Sequence, residues 1–241
     1  ATAAAVRVWS RRGRILAVGL LDGPDLLRLT LAPSVHRDAE LGRRLVADVT
    51  QPDRGVLPAG RVSVEAPRTA LLHDLLAEAG WDLGDPWTPL RRDLREPVPE
   101  PEVRIEPVGP ERAAQWSSVV RGSFPASTFS PARWLALAGG VPFADARCLL
   151  ACSPAGDAVA AVAVWSAGPG RPGLLEPMGV HREHRGRGYG RAVTLAAASA
   201  LRELGSSSAV VCTPSANTGG VATYRSAGFE ARPEVRDRVR P

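Results

Sequence analysis

The sequence predicts a mixed α/β (α+β) fold: a central mixed β-sheet flanked by helices, accompanied by a second, shortened copy of the same arrangement. Three observations carry this expectation. An apolar stretch, Leu174–Val180, runs into a glycine-rich turn and then into an amphipathic pattern ended by Gly205, which reads as strand, turn and helix. From Val103 onward, apolar runs and helical patterns alternate in the order β-α-α-β-β-β-α-β-α-β. Residues 6–94 repeat the punctuation of the later chain at a constant offset of 148.

The elements follow from local chemistry. Glu96-Pro-Val-Pro-Glu-Pro101 alternates proline with acidic and apolar residues and favours an extended connector, so a boundary is expected there: residues 1–95 before it, 102–241 after it. Val103–Val108 reads as a strand, Glu111–Phe124 as a helix with Ala113, Ala114, Trp116 and Val120 near one face, and Pro131 opens a shorter helix through Trp134 and Leu137. Arg147–Cys152 and Ala158–Trp165 are apolar runs joined by Ser153-Pro-Ala-Gly-Asp157, a hairpin signal. After the helix from Tyr189 to Leu204 come a strand at Ala209–Thr213, a helix around Val221–Ala227 and short extended pieces. In the repeat, Leu26-Leu27 falls on Leu174-Leu175, Gly42-Arg43 on Gly190-Arg191, and Ala79-Gly80-Trp81 on Ala227-Gly228-Phe229. The earlier copy has no counterpart of Val103 to about Ala144, and with no initiating Met the natural chain is expected to extend by roughly one strand and two helices.

Composition narrows the chemistry. All 30 basic residues are arginine, which excludes a Walker-type phosphate loop, a Schiff base and a pyridoxal enzyme. The net charge of +5 is spread along the chain among Asp and Glu, so no nucleic-acid face is expected, although a small polyanionic ligand suits the balance. No apolar run reaches the roughly 18 residues of a membrane helix, and three cysteines make no disulfide framework, so a cytoplasmic protein without a membrane partner is expected. Cys148, Cys152, His181 and His184 invite a zinc reading, but four residues along a strand span about 13 Å, too far for two ligands of one ion, so no metal is expected.

His184-Arg-Gly-Arg-Gly-Tyr-Gly-Arg191 lies between strand and helix, where glycines admit a close backbone and a helix N-terminus faces an anion. Its G-x-G-x-G spacing, late in the chain, is not a dinucleotide fingerprint. Arg185-Gly-Arg-Gly188-Tyr-Gly190 matches the R/Q-x-x-G-x-G/A loop, and Asn217, Tyr224 and Gly228-Phe229 follow at family spacing, so residues 102–241 resemble the GNAT acetyltransferase superfamily. The arrangement as a whole resembles a tandem type whose N-terminal half is degenerate.

The resemblance implies direct transfer of an acetyl group from acetyl-CoA, as cosubstrate, to a primary amine of a small molecule or peptide in a ternary complex. It implies that the strand before the loop and the strand after the long helix splay apart. Backbone groups of Met178, Gly179 and Val180 would hold the pantetheine and thioester, and N–H groups of Arg185, Gly186, Arg187, Gly188, Tyr189, Gly190 and Arg191 the pyrophosphate. Asn217 would touch the pantetheine and Tyr224 would protonate or hydrogen-bond the departing thiolate, while Glu176, read as sharing a strand face with Met178 and Val180, is the candidate base, acting directly or through a water. Each residue also has a structural reading: Asn217 as a helix cap, Glu176 as half of an ion pair, Tyr224 as core. Pro177 cannot donate to a ladder, which fits a local break in pairing.

At the offset of 148, Glu40 replaces Gly188, Thr69 replaces Asn217 and Leu76 replaces Tyr224, so the N-terminal half is not expected to bind CoA. Candidate acceptor-lining segments are Gly122–Phe129 and Ser166–Gly173, with Phe124 and Phe129 as apolar walls. The alternative from another class is a non-catalytic acyl-CoA sensor. Lysine-free, Ala/Arg/Gly/Pro-rich usage suggests a bacterial chain, and either a monomer or a homodimer is compatible with a tandem.

Overall fold

The computed structural model describes residues 3–241. In chain order the elements are β1 (Val6–Arg11), β2 (Arg14–Leu21), β3 (Leu26–Leu31), α1 (Ala39–Thr50), β4 (Val62–Glu65), α2 (Leu72–Glu78), β5 (Asp82–Asp93), β6 (Ile105–Pro107), α3 (Ala113–Ser123), α4 (Pro131–Ala138), β7 (Ala146–Cys152), β8 (Ala158–Ser166), β9 (Pro172–Val180), α5 (Tyr189–Glu203), β10 (Ser208–Pro214), α6 (Thr218–Ser226), β11 (Glu230–Ala231) and β12 (Val235–Arg240). The chain divides into two compact units: one runs to Trp87 and takes back Glu234–Pro241, the other is Thr88–Pro233. The proline-rich stretch 96–101 therefore lies inside the second unit, and the division instead cuts through β5.

In the first unit the strand order is β1-β2-β3-β4-β12-β5, an antiparallel meander followed by the parallel pair β3–β4. In the second unit β5 neighbours β10, then β9, β8, β7 and β6 follow, and β11 pairs with β5 through Glu230–Arg91. α5 shows why this sequence makes a core helix. Val193, Ala197 and Leu201 recur every four residues and are fully buried, and the alanines between them let the backbone approach the sheet closely. α3 and α4 bring Trp116 and Trp134 onto the opposite face, against Cys148, Leu150, Ala161 and Ala163.

The internal repeat extends to atomic detail. Gly80 and Gly228 have φ of 81° and 80°, and the following N–H returns to the preceding helix in both: Trp81 to Leu76 O at 3.0 Å, Phe229 to Tyr224 O at 3.1 Å. A side chain at Gly42 would meet Leu75 Cδ1 at 2.7 Å, and one at Gly190 would meet Thr223 Cγ2 at 2.9 Å, the same contact 148 residues on. Leu45 and Val49 are fully buried on α1, as Val193 and Ala197 are on α5. The meander β1-β2-β3 thus corresponds to β7-β8-β9, and β3-α1-β4-α2 to β9-α5-β10-α6.

Candidate active site

The glycine-rich turn is shaped by backbone conformation. Gly186 and Gly188 have φ of 74° and 81°, a region costly for any residue with a Cβ, and no atom lies within 4 Å of where a side chain would begin. Gly188 is the N-cap of α5, and the first N–H groups of a helix, here at Tyr189, Gly190 and Arg191, have no acceptor within it. The loop's arginines divide their work. Arg185 Nη2 donates to Ser123 O at 2.8 Å and anchors the turn to the end of α3, Arg191 Nε donates to Ser226 O at 3.1 Å at the end of α6, and Arg187 is exposed. Cationic groups at helix C-termini are favourable to the dipole.

β10 pairs in parallel with β9 over Pro172–Leu174 and stops there. From Leu175 to Val180, β9 is paired through β8 on one edge, so the two parallel strands part as the family resemblance implies. The break also has an internal cause. Met178 pairs with Val162 and Leu175 with Val164, so Glu176 and Pro177 together stand opposite Ala163 in a bulge. Leu175 and Met178 consequently both pack on the core beneath α5. Period-2 alternation does not run through the bulge, and the expectation that Glu176 shares a face with Met178 and Val180 is corrected. The Trp165 indole donates to Glu176 O at 2.8 Å and so takes up the carbonyl of the bulged residue.

Tyr224, on α6, is 5% exposed and lies in the core beside Phe229, ring centroids 5.9 Å apart. Burial pushes its phenol pKa up, and the charge of Glu176 pushes it further in the same direction. The two side chains proposed for proton transfer therefore sense each other, although 48 residues separate them in sequence. Asn217 caps α6: its Oδ1 accepts from Gly220 N–H at 3.1 Å and its Nδ2 donates to Thr213 Oγ1 at 3.2 Å. Gly179 has no Cβ because Ser123 would be 2.5 Å away, and Gly122 none because a side chain there would collide with the His181 ring. The last turn of α3 is thereby pressed onto β9, with Phe124 41% exposed beside it.

The acetyltransferase (GNAT) family pattern matches residues 115–229. The match lies within the second unit and spans just under half of the chain. Solved structures extend a likeness of fold over most of the chain. A GCN5-related N-acetyltransferase from Sphaerobacter thermophilus superposes with a TM-score of 0.69 at 21% identity, covering 95% of this chain and 77% of that one. A tandem GNAT protein of the clavulanic acid biosynthesis pathway gives 0.68 at 21% identity over 98% and 83%. A GCN5-related N-acetyltransferase from Kribbella flavida gives 0.61 at 21% over 93% and 86%. At these identities the likeness is one of fold. No curated protein matches the chain in sequence. Members of the GNAT family are acyltransferases that use acetyl-CoA as cosubstrate.

In the first unit, two carboxylates stand at the position equivalent to the GNAT turn. Asp38 caps α1, accepting from Leu41 N–H at 2.8 Å, and Arg11 grips Asp38 at 2.9 Å and Glu40 at 3.3 Å. The Arg11 guanidinium, then the Leu41 N–H, lower the Asp38 pKa to about 2. Sequence reasoning found Glu40 but missed Asp38, whose signal was the cap residue directly before the apolar pattern of α1.

Proposed function

We propose that this chain is an N-acetyltransferase that moves an acetyl group from acetyl-CoA to a primary amine of a small molecule or peptide by direct attack, with the second unit as the catalytic one. The observation that carries the reading is the open glycine turn between β9 and the N-terminus of α5, with β9 and β10 parting ahead of it. The residues fit the cosubstrate: the turn is open above two left-handed glycines, and α5 presents unsatisfied N–H groups.

Acetyl-CoA would supply an acetyl group activated as a thioester. N–H groups from Gly186 to Arg191 bind the pyrophosphate, with Arg185 acting through the turn it anchors. The β9 edge from Met178 through Gly179 to Val180 orients the pantetheine and polarises the carbonyl. Asn217 reaches the same arm while its oxygen caps α6. Glu176 takes the proton the amine loses as nitrogen bonds to the acetyl carbon, and Tyr224 gives its phenolic proton to sulfur as the carbon–sulfur bond breaks. A phenol whose pKa is raised keeps that proton until the sulfur needs it.

The first unit binds no CoA in this reading, because Asp38 and Glu40 set negative charge against a phosphate at the equivalent turn and Leu76 has no proton to give. Thiol release from acetyl-CoA across a panel of primary amines tests the proposal. Turnover with at least one amine is expected, and Tyr224→Phe should lower kcat by about 10²-fold with little change in acetyl-CoA affinity. Binding of acetyl-CoA without release for any amine would make the chain a sensor instead.

A further inference from the structure

The first unit holds an arginine-lined groove that acetyl transfer does not use. It has a volume of about 370 Å³ and is lined by Arg7, Arg44 and Arg54, by Asp48 and Trp9, and by Val8 and Val56. We propose that this groove binds a small phosphoryl-bearing molecule, its dianionic phosphate held by Arg7, Arg44 and Arg54.

Charge balance is the first argument. Asp48 is 8% exposed and already satisfied: Trp9 Nε1 donates to Oδ2 at 2.8 Å and Arg54 Nε to Oδ1 at 2.6 Å. Arg44 stands 3.9 Å from the same carboxylate, beyond hydrogen-bond range. Arg7 donates to the carbonyls of Ala4 and Val6 at 2.6 and 3.2 Å, contacts that leave its charge uncompensated. Among the described residues, Asp48 is the one carboxylate in ion-pair range of any of the three guanidinium groups, and it reaches Arg44 and Arg54. Three cations against one anion leave a surplus of two, which a phosphate monoester, carrying about −1.5 to −2 at neutral pH, matches better than a single carboxylate does.

The internal repeat supplies the second argument. At the offset of 148, Arg44 and Asp48 correspond to Ala192 and Ala196, both buried in the apolar core of the second unit. The same fold is thus completed there by two methyl groups. In the first unit a carboxylate is buried instead, at a desolvation cost that stability alone does not require. The Trp9–Asp48–Arg54 network fixes the groove floor and the Arg54 fork, while Val8 and Val56 offer apolar flanks to the rest of a ligand. The volume falls in the range of metabolite sites. None of this depends on the acetyltransferase reading.

The test is calorimetric titration of the full chain with inorganic phosphate, using Gly188→Glu to remove the turn before α5 as a competing anion site. Gly188→Glu is expected to keep one phosphate site, and Arg44→Gln or Arg7→Gln in that background to weaken it at least about tenfold, the loss of one charge-assisted hydrogen bond. Neither arginine holds the Asp48 carboxylate within hydrogen-bond range, so circular dichroism should show both variants folded. Equal affinity in the doubly substituted Arg7/Arg44 protein and its parent, or no phosphate site in Gly188→Glu, would overturn the proposal. Binding of a DNA duplex, lost on the same substitutions while inorganic phosphate remains silent, would overturn the small-molecule assignment.

Discussion

Substituting alanine at Gly190 and, separately, at its repeat partner Gly42 should give unequal losses of stability, and the inequality runs against the bare distances. A Cβ at Gly190 would lie 2.9 Å from Thr223 Cγ2 and 3.4 Å from Val180 Cγ2; a Cβ at Gly42 would lie closer, 2.7 Å, to Leu75 Cδ1, with the next atom at 3.9 Å. Ordinary carbon contacts are about 3.5–4.0 Å, so each site needs a displacement of several tenths of an ångström or more. Leu75 Cδ1 is the end of a flexible, half-buried side chain and turns aside. Thr223 cannot turn, being β-branched and tied by its hydroxyl to Gly219 O at 2.8 Å. Overpacking a fixed contact costs about 1–3 kcal/mol, so Gly190→Ala should lower the melting temperature of the second unit by roughly 4–8 °C if the cost is about 2 kcal/mol. Gly42→Ala should cost under about 1 kcal/mol. Thr223→Ser removes Cγ2, keeps the hydroxyl and should restore most of the loss in a double-mutant cycle followed by thermal denaturation. A larger loss at Gly42 than at Gly190, or no recovery with Thr223→Ser, would refute the packing argument.

Further outcomes are expected. Gly188→Glu, which places in the second unit the residue found at Glu40 in the first, should abolish acetyl-CoA binding in calorimetry while circular dichroism stays unchanged; retained affinity would remove the turn from the site. Trp165→Phe deletes the 2.8 Å bond to Glu176 O, worth about 1 kcal/mol, and should lower kcat about fivefold with KM for acetyl-CoA unaltered; an unchanged kcat would leave Trp165 no positioning role. Asp38 has its pKa lowered to about 2, so its ion pair stabilises the first unit above the ordinary carboxylate pKa near 4, and this contribution disappears as pH falls through 2. Asp38→Asn keeps a capping oxygen but not the charge, and its acid unfolding curve should be flatter than the parent's over that window; superposable curves would deny the ion pair any part in acid sensitivity.

Much of this molecule is legible in its sequence because the relevant signals are local. The buried stripe of α5, the Gly205 stop and the Ser153–Asp157 turn depend on neighbours within a few residues, and each stands where the pattern puts it. The repeat is legible because glycines recur at the same places, Gly80 and Gly228 at a left-handed φ and Gly42 and Gly190 where a neighbouring side chain comes close. Other features are not local. β5 contains Pro86 and Pro89, which mark it as a poor strand, and it forms because β12 and β11 pair with it. The expected strand at 103–108 shrinks to Ile105–Pro107, paired with β7 alone. The bulge at Glu176 and the Trp165 bond arise between strands, and the Arg11–Asp38 clamp joins residues 27 apart. Pairings of that kind leave no periodic trace.

β12 pairs with β4 and with the Asp82–Trp87 end of β5, yet it comes after the whole of the second unit in the chain. The first unit is therefore discontinuous, and its sheet closes last even though its residues emerge first from the ribosome. Until Val235–Arg240 arrives, the flank of β4 presents open backbone groups to anything extended nearby. Proteolysis at the proline-rich stretch would not release two self-sufficient halves: it would leave the earlier fragment lacking a strand it can obtain only from the later one.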